Sequence, residues 1–140
     1  MIHQLSFFIE NRPGTLHQAL ETIKSEHLQI IASTISDTAE YGIYRVIASE
    51  PLKAYEALSR RGMMVRLSEV FAISLKNIPG TAADAISLFT REGINIEYVY
   101  SFMWNNDGIL ILRTNDQAKT LEIINKNGLT CVDEDQLVIR

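Results

Sequence analysis

The stretch "NRPGTL" at residues 11–16 returns as "NIPGTA" at residues 77–82. The two copies stand 66 positions apart, and the offset continues beyond them. Pro13, Gly14 and Thr15 map onto Pro79, Gly80 and Thr81. Ile30 maps onto Ile96, "YGIY" at 41–44 onto "DGIL" at 107–110, and Gly62 onto Gly128. A fixed offset held without a gap over this length marks one folding unit written twice.

Each copy reads as strand, helix, strand, strand, helix, strand. In the first, Leu5, Phe7 and Ile9 alternate with Gln4, Ser6 and Phe8 at strand period. Pro13-Gly14 ends that strand, and Leu16, Leu20 and Ile23 then recur at helix spacing. Thr15 with Gln18 three residues later predicts a capping box at the helix start. "LQIIASTIS" at 28–36 and "YGIYRVIAS" at 41–49 predict a hairpin turning at Asp37–Glu40. Pro51 opens a helix with Leu52, Tyr55 and Leu58, and Gly62 closes it.

The second copy repeats the order with Phe71, Ile73 and Leu75, then Ala82, Ile86 and Phe89, then "INIEYVYSF". "WNNDG" at 104–108 is a hairpin signal, followed by "GILILRT" and a helix carrying Ala118, Leu121 and Ile124. The βαββαβ order predicts an α+β fold: two ferredoxin-like sandwiches packed side by side as an intrachain pseudo-dimer. The expected units are residues 1–68 and 69–140. Leu137-Val138-Ile139 lies as far beyond Gly128 as Phe71-Ala72-Ile73 lies beyond Gly62. A strand near 69–75 is therefore expected to be shared or exchanged between the halves. A unit of about 60–70 residues buries only roughly 60% of its unfolded surface, so joining two is favourable.

Bulk properties narrow the function. The chain has 140 residues, 46% hydrophobic, enough for a core, and a formal net charge of −4. Its Lys and Arg are scattered, with Arg60-Arg61 the densest pair, which argues against nucleic acid. No run has the length to span a bilayer, and "MIHQLSFFIE" lacks signal-peptide features, so a cytoplasmic protein is expected. Cys131 is the only cysteine, and His3, His17 and His27 lack metal spacing, so no metal or cofactor is expected. His27 is expected at a positive-φ position and "DED" at 133–135 as a solvated turn. No nucleophile–base pattern is present, and a non-enzymatic protein is expected.

The repeated loop is the chemical feature. It leaves a strand and enters a helix, whose first N–H groups lack intrahelical partners and attract anions. Asn adds an amide with both donor and acceptor, which suits a zwitterion. Pro-Gly-Thr before a helix is equally a plain turn, and on the residues alone both readings stand.

"FIENRPGTLHQALETI" (8–23), "SLKNIPGTAADAISLF" (74–89) and "REGINIEYVYS" (91–101), with Gly42 and Gly108, resemble the ACT domain, and in particular stand-alone tandem ACT pairs. The resemblance implies a regulatory module that binds a free amino acid between two ACT units. It assigns the ligand to the loop Asn and to the Asn that opens the second strand. Asn11 and Asn77 match the first position; Asn95 matches the second, where copy one has Gln29. One implied site joins Asn11, Arg12, Pro13, Gly14, Thr15 and Leu16 to Asn95. The other joins Asn77, Pro79, Gly80, Thr81 and Ala82 to Gln29. The first keeps both family asparagines and is preferred. Serine-binding members carry His two residues before the loop Asn, where this chain has Ile9 and Leu75, which leaves open a different or more hydrophobic ligand. Output would pass through a regulated protein partner or a homo-oligomer. The rival reading is a structural or assembly module without a small-molecule ligand.

Overall fold

The computed structural model describes residues 1–37 and 40–137. The expected turn at Asp37–Glu40 lies partly outside these residues, and Val138-Ile139 of the expected last strand lies wholly outside them.

The chain divides into two compact units. One comprises His3–Glu69 with the segment from Glu134 onward; the other comprises Met1–Ile2 with Val70–Asp133. The first contains β1 (Ile2–Glu10), α1 (Thr15–Ser25), β2 (Ile30–Asp37), β3 (Tyr41–Ala48) and α2 (Pro51–Arg60). Next comes β4 (Val65–Lys76), twelve residues long, and the division between units falls inside it. The second continues with α3 (Thr81–Arg91), β5 (Ile96–Trp104), β6 (Asp107–Thr114), α4 (Gln117–Lys126) and β7 (Thr130–Cys131). A short helix, α5 (Glu134–Leu137), follows.

Strand order is β2-β3-β1-β4 in the first unit and β5-β6-β4-β7 in the second. Each is the split-βαβ arrangement, so the chain is a tandem of two ferredoxin-like βαββαβ units. Antiparallel register aligns Phe7 with Tyr44 and Leu5 with Val46 in one unit, and Ile73 with Leu110 and Phe71 with Leu112 in the other. Paired residues share a sheet face, so each unit has an apolar face on which its helices rest. In the first unit, Leu5, Phe7, Tyr44 and Val46 pack with Ala19, Ile23, Ala54 and Leu58. In the second, Phe71, Ile73, Leu110 and Leu112 pack with Phe89, Ile123 and Ile124. Each fully buried large side chain contributes about 1.5–3 kcal/mol.

Helix spacing predicted the helices but misjudged part of their buried face. Leu52 and Leu121 are 61% and 43% exposed. The buried positions of α2 are Ala54, Ala57 and Leu58, and those of α4 are Thr120, Ile123 and Ile124. Both helices thus turn a face one position away from these leucines toward the core. Ala82 and Ala118 are exposed as well.

Turn chemistry follows the sequence closely. Asn105 (φ 50°) and Asn106 (φ 65°) form the two-residue loop between β5 and β6, the geometry of a type I′ hairpin turn. His27 takes φ 57° and its counterpart Gly93 takes φ 73°, so both copies leave their first helix through the left-handed region. Of the expected turn at 133–135, Glu134 and Asp135 instead open α5, and Leu137 lies in that helix rather than opening a strand. Glu134 Oε1 accepts from the His3 backbone N–H at 2.5 Å and lies 2.7 Å from His3 Nδ1. An acidic residue in the first turn that also meets a backbone donor favours helix over turn there.

Candidate ligand-binding site

The two repeated loops have the same backbone. Gly14 and Gly80 are the N-caps of α1 and α3, both at φ 93°, and neither helix has a side-chain cap hydrogen bond. A Cβ at either glycine would meet nothing within 4 Å, so only backbone strain holds the residue type there.

The expected capping box is absent because Gly, not Thr, stands at the N-cap. Thr15 turns its hydroxyl backwards, donating to Glu10 O at 2.7 Å and Arg12 O at 3.0 Å. Thr81 Oγ1 donates to Lys76 O at 3.0 Å and Ile78 O at 3.1 Å. These bonds tie the loop to the end of the preceding strand and leave the first helical turn uncapped by any side chain. By contrast, Asp116 Oδ1 accepts from Lys119 N at 3.0 Å and caps α4 in the ordinary way. In α3 the Thr81 N–H is taken by Ile78 O at 3.3 Å, and no side chain caps the N–H groups that follow it.

Beside the second loop lies a cavity of 130 Å³. Its polar lining is Lys76, Asn77, Thr81 and Ser101, and Leu75, Ile109 and Leu110 are its apolar wall. Ile78 and Ala82 also reach it. Asp84, the acidic residue in the first turn of α3, lines a different groove, and no acidic residue lines this cavity.

Of the residues singled out from sequence, Asn77, Thr81 and Ala82 therefore line one cavity. Pro79 and Gly80 shape its loop without lining it, and Asn95 does not line it either. Asn95 lies in the same unit, just before β5. Its backbone exchanges bonds with Asn115, N–H to Oδ1 at 3.1 Å and carbonyl from N–H at 3.1 Å, and it is exposed. Gln29 repeats this with Ser49, at 3.0 and 2.9 Å, and is likewise exposed.

Asn11, Arg12, Pro13, Gly14, Thr15 and Leu16 belong to the other unit. There Asn11 N–H donates to Glu40 O at 3.1 Å. Arg12 Nε donates to Glu10 Oε2 at 2.7 Å in an exposed ion pair.

Ser101 is the residue the loop motif did not reveal. It pairs with Leu110 across the sheet, and its counterpart Ile35 pairs with Tyr44. The signal was a small hydroxyl where the repeat has a branched apolar residue.

Among the described residues no group of His, Cys, Asp and Glu is arranged to hold a metal ion, and no helix is long and apolar enough to cross a membrane. Cys131 is free and half-buried, and burial pushes its thiol above the usual range.

With this geometry in place, comparison with known proteins is decisive. The family of ACT domain pairs matches residues 1–139. The chain belongs to the ACT domain pair family. The crystal structure of protein BT0572 from Bacteroides thetaiotaomicron superposes on this ACT pair with a TM-score of 0.92 at 33% identity, over 99% of this chain and 96% of that one. The ligand-free regulatory subunit of aspartate kinase from Thermus thermophilus shares the fold. Its TM-score is 0.63 at 14% identity, over 89% and 91% of the two chains. The corresponding subunit from Thermus flavus gives 0.62 at 15%, over 89% and 90%. A search of curated proteins finds no match.

Proposed function

We propose that this ACT pair is a non-catalytic regulatory module that senses a free amino acid through its strand-to-helix loops. The observation that carries the reading is the cavity at the uncapped start of α3, where Asn77, Thr81 and Ser101 meet an apolar wall. The ligand carboxylate rests on first-turn N–H groups of α3, the Asn77 amide meets the ammonium or carboxylate, and the side chain lies against Leu75 and Leu110. At 130 Å³ the cavity is well below the roughly 300–1,000 Å³ of sites for drug-sized ligands, so a small amino acid suits it. The loop Asn11–Leu16 and the exposed amides of Asn95 and Gln29 are further ligand donors in this proposal. Binding alters what the module presents to a regulated protein partner or to a second copy of itself, in the cytoplasm, where the free Cys131 thiol suits the reducing milieu. The fold shared with aspartate kinase regulatory subunits supports a regulatory role.

Calorimetry of the purified protein against the twenty amino acids tests this. The expected result is saturable binding of one or a few, between micromolar and millimolar, weakened about tenfold or more by Asn77→Ala with the circular dichroism unchanged. Absence of any binding below millimolar, with the protein folded, overturns the sensor and leaves the assembly module.

A further inference from the structure

The second unit carries another groove, of 510 Å³, along one flank of α3. Its apolar lining is Leu75 of β4, Ala85 and Leu88 of α3, and Leu129 before β7, interspersed with the hydroxyl side chains of Ser74, Thr81, Ser87 and Thr130. Its rim is charged, with Lys76 and Arg91 against the single carboxylate of Asp84. Among the described residues none of these three has an ion-pair partner.

The same flank of the first unit is different. Lys76 corresponds to Glu10, which is taken by Arg12 Nε at 2.7 Å. Arg91 corresponds to Ser25, whose hydroxyl donates to Thr22 O at 2.7 Å, and Asp84 corresponds to Gln18. Leu88 is replaced by the buried Thr22, whose hydroxyl donates to Gln18 O at 3.0 Å. Copy one therefore closes its charges and hydroxyls internally, and copy two leaves two cations over this lining.

We propose that this groove is a second binding site, for a small aliphatic monocarboxylate. The two cations and one carboxylate leave a single net positive charge, which balances a monoanion and disfavours a phosphate dianion beside Asp84. The planar fork of a guanidinium matches a carboxylate through two N–H bonds. The apolar part of the lining takes the hydrocarbon, and the volume falls within the roughly 300–1,000 Å³ of small-molecule sites. Leu75, Lys76 and Thr81 line both this groove and the loop cavity, while Arg91 and Leu88 line this groove alone, so a substitution at Arg91 separates the two sites.

The test is a titration of the full chain with 4-methylpentanoate, followed by calorimetry and by NMR shifts, with inorganic phosphate and leucine as parallel probes. The expected result is saturable binding of the acid that Arg91→Ala weakens about tenfold and Asp84→Asn tightens a few-fold. Asn77→Ala leaves it unchanged, and phosphate binds at least tenfold more weakly. No binding of the acid, binding indifferent to Arg91→Ala, or phosphate binding equally well overturns the proposal. Leucine binding lost in Asn77→Ala but kept in Arg91→Ala reports on the loop cavity alone, so the two sites fail separately.

Discussion

The loops Asn11–Leu16 and Asn77–Ala82 share their backbone and differ in what stands over it. Both use a glycine at φ 93° and a backward-turned threonine. Over the second loop stand Ala82, Ser101 and Leu110; at the same repeat positions the first has Leu16, Ile35 and Tyr44, each larger. The Tyr44 ring packs edge-on to Phe7 at 5.2 Å, and Ile35 Cγ2 lies 3.4 Å from where a Cβ on Gly42 would be. At Gly108 the nearest atom to such a Cβ is the backbone oxygen of Leu75 at 3.8 Å. Duplication kept the helix start without a side-chain cap, and among the described residues the side chains beside it differ in volume between the copies. A loop motif therefore identifies a helix start, while the strands opposite determine whether a ligand fits.

The largest effect tests whether the halves also differ in their cores. Phe89 is fully buried, and its repeat counterpart Ile23 is 1% exposed. Phe89→Ala is expected to cost about 3–5 kcal/mol and Ile23→Ala about 2–5 kcal/mol, read as shifts of the urea-unfolding midpoint. A loss under 1 kcal/mol at Phe89 would mean that α3 does not rest on that ring, and the description of the second core would fail.

Next is a transplant of copy-one volume into copy two. Ser101→Ile places the residue of position 35 beside the loop cavity. Ser101 is exposed, so stability should move by less than about 1 kcal/mol. Amino-acid binding should weaken about a hundredfold, because a branched side chain takes the ligand's space. Calorimetry showing unchanged affinity would mean that volume over the loop is not what separates the copies.

Much of this was legible in the sequence, and the failures share a physical origin. The repeat, the element order, the Asn105-Asn106 turn and the positive φ at His27 follow from local rules, because a turn or helix end is specified by a few adjacent residues. The capping box failed because S/T-x-x-E/Q does not reveal which residue is the N-cap; Gly14 in the left-handed region moved the cap one residue earlier. Helix burial at Leu52 and Leu121 failed because an apolar period fixes a face only to within a residue or so: α2 buries Leu58 with Ala54 and Ala57, and α4 buries Ile123 and Ile124 with Thr120. Ser101 was missed because the cavity is formed across strands, where partners are set by register rather than by distance along the chain.

A smaller effect addresses the part the copies share. Gly14→Ala and Gly80→Ala place a Cβ in open space at the same positive φ. Each should cost about 1–2 kcal/mol from backbone strain alone, and the two costs should agree. Thermal or urea unfolding of the pair is the measurement. Costs differing by more than a kcal/mol would show that the loops are not equivalent.

The smallest effect contrasts Cys131 with its counterpart Val65. Val65 opens β4 and Cys131 ends the two-residue β7, but only the cysteine titrates. Desolvation by burial raises the thiol pKa, the N-terminal ammonium opposes this, and Asp133 adds to it. A folded value above the unfolded one means that the contribution to stability is fully present below the unfolded-chain value. It is lost as pH rises through the folded value, because the unfolded chain releases its proton first. Unfolding free energy should therefore decline on the alkaline side in the wild type, and Cys131→Val should flatten that decline while changing little near neutrality. The thiol should also react with a maleimide more slowly than free cysteine at pH 7.5, since less of it is thiolate. A variant with an unaltered alkaline slope, or a thiol that reacts as fast as free cysteine, would mean that this strand is more open than its Val65 counterpart.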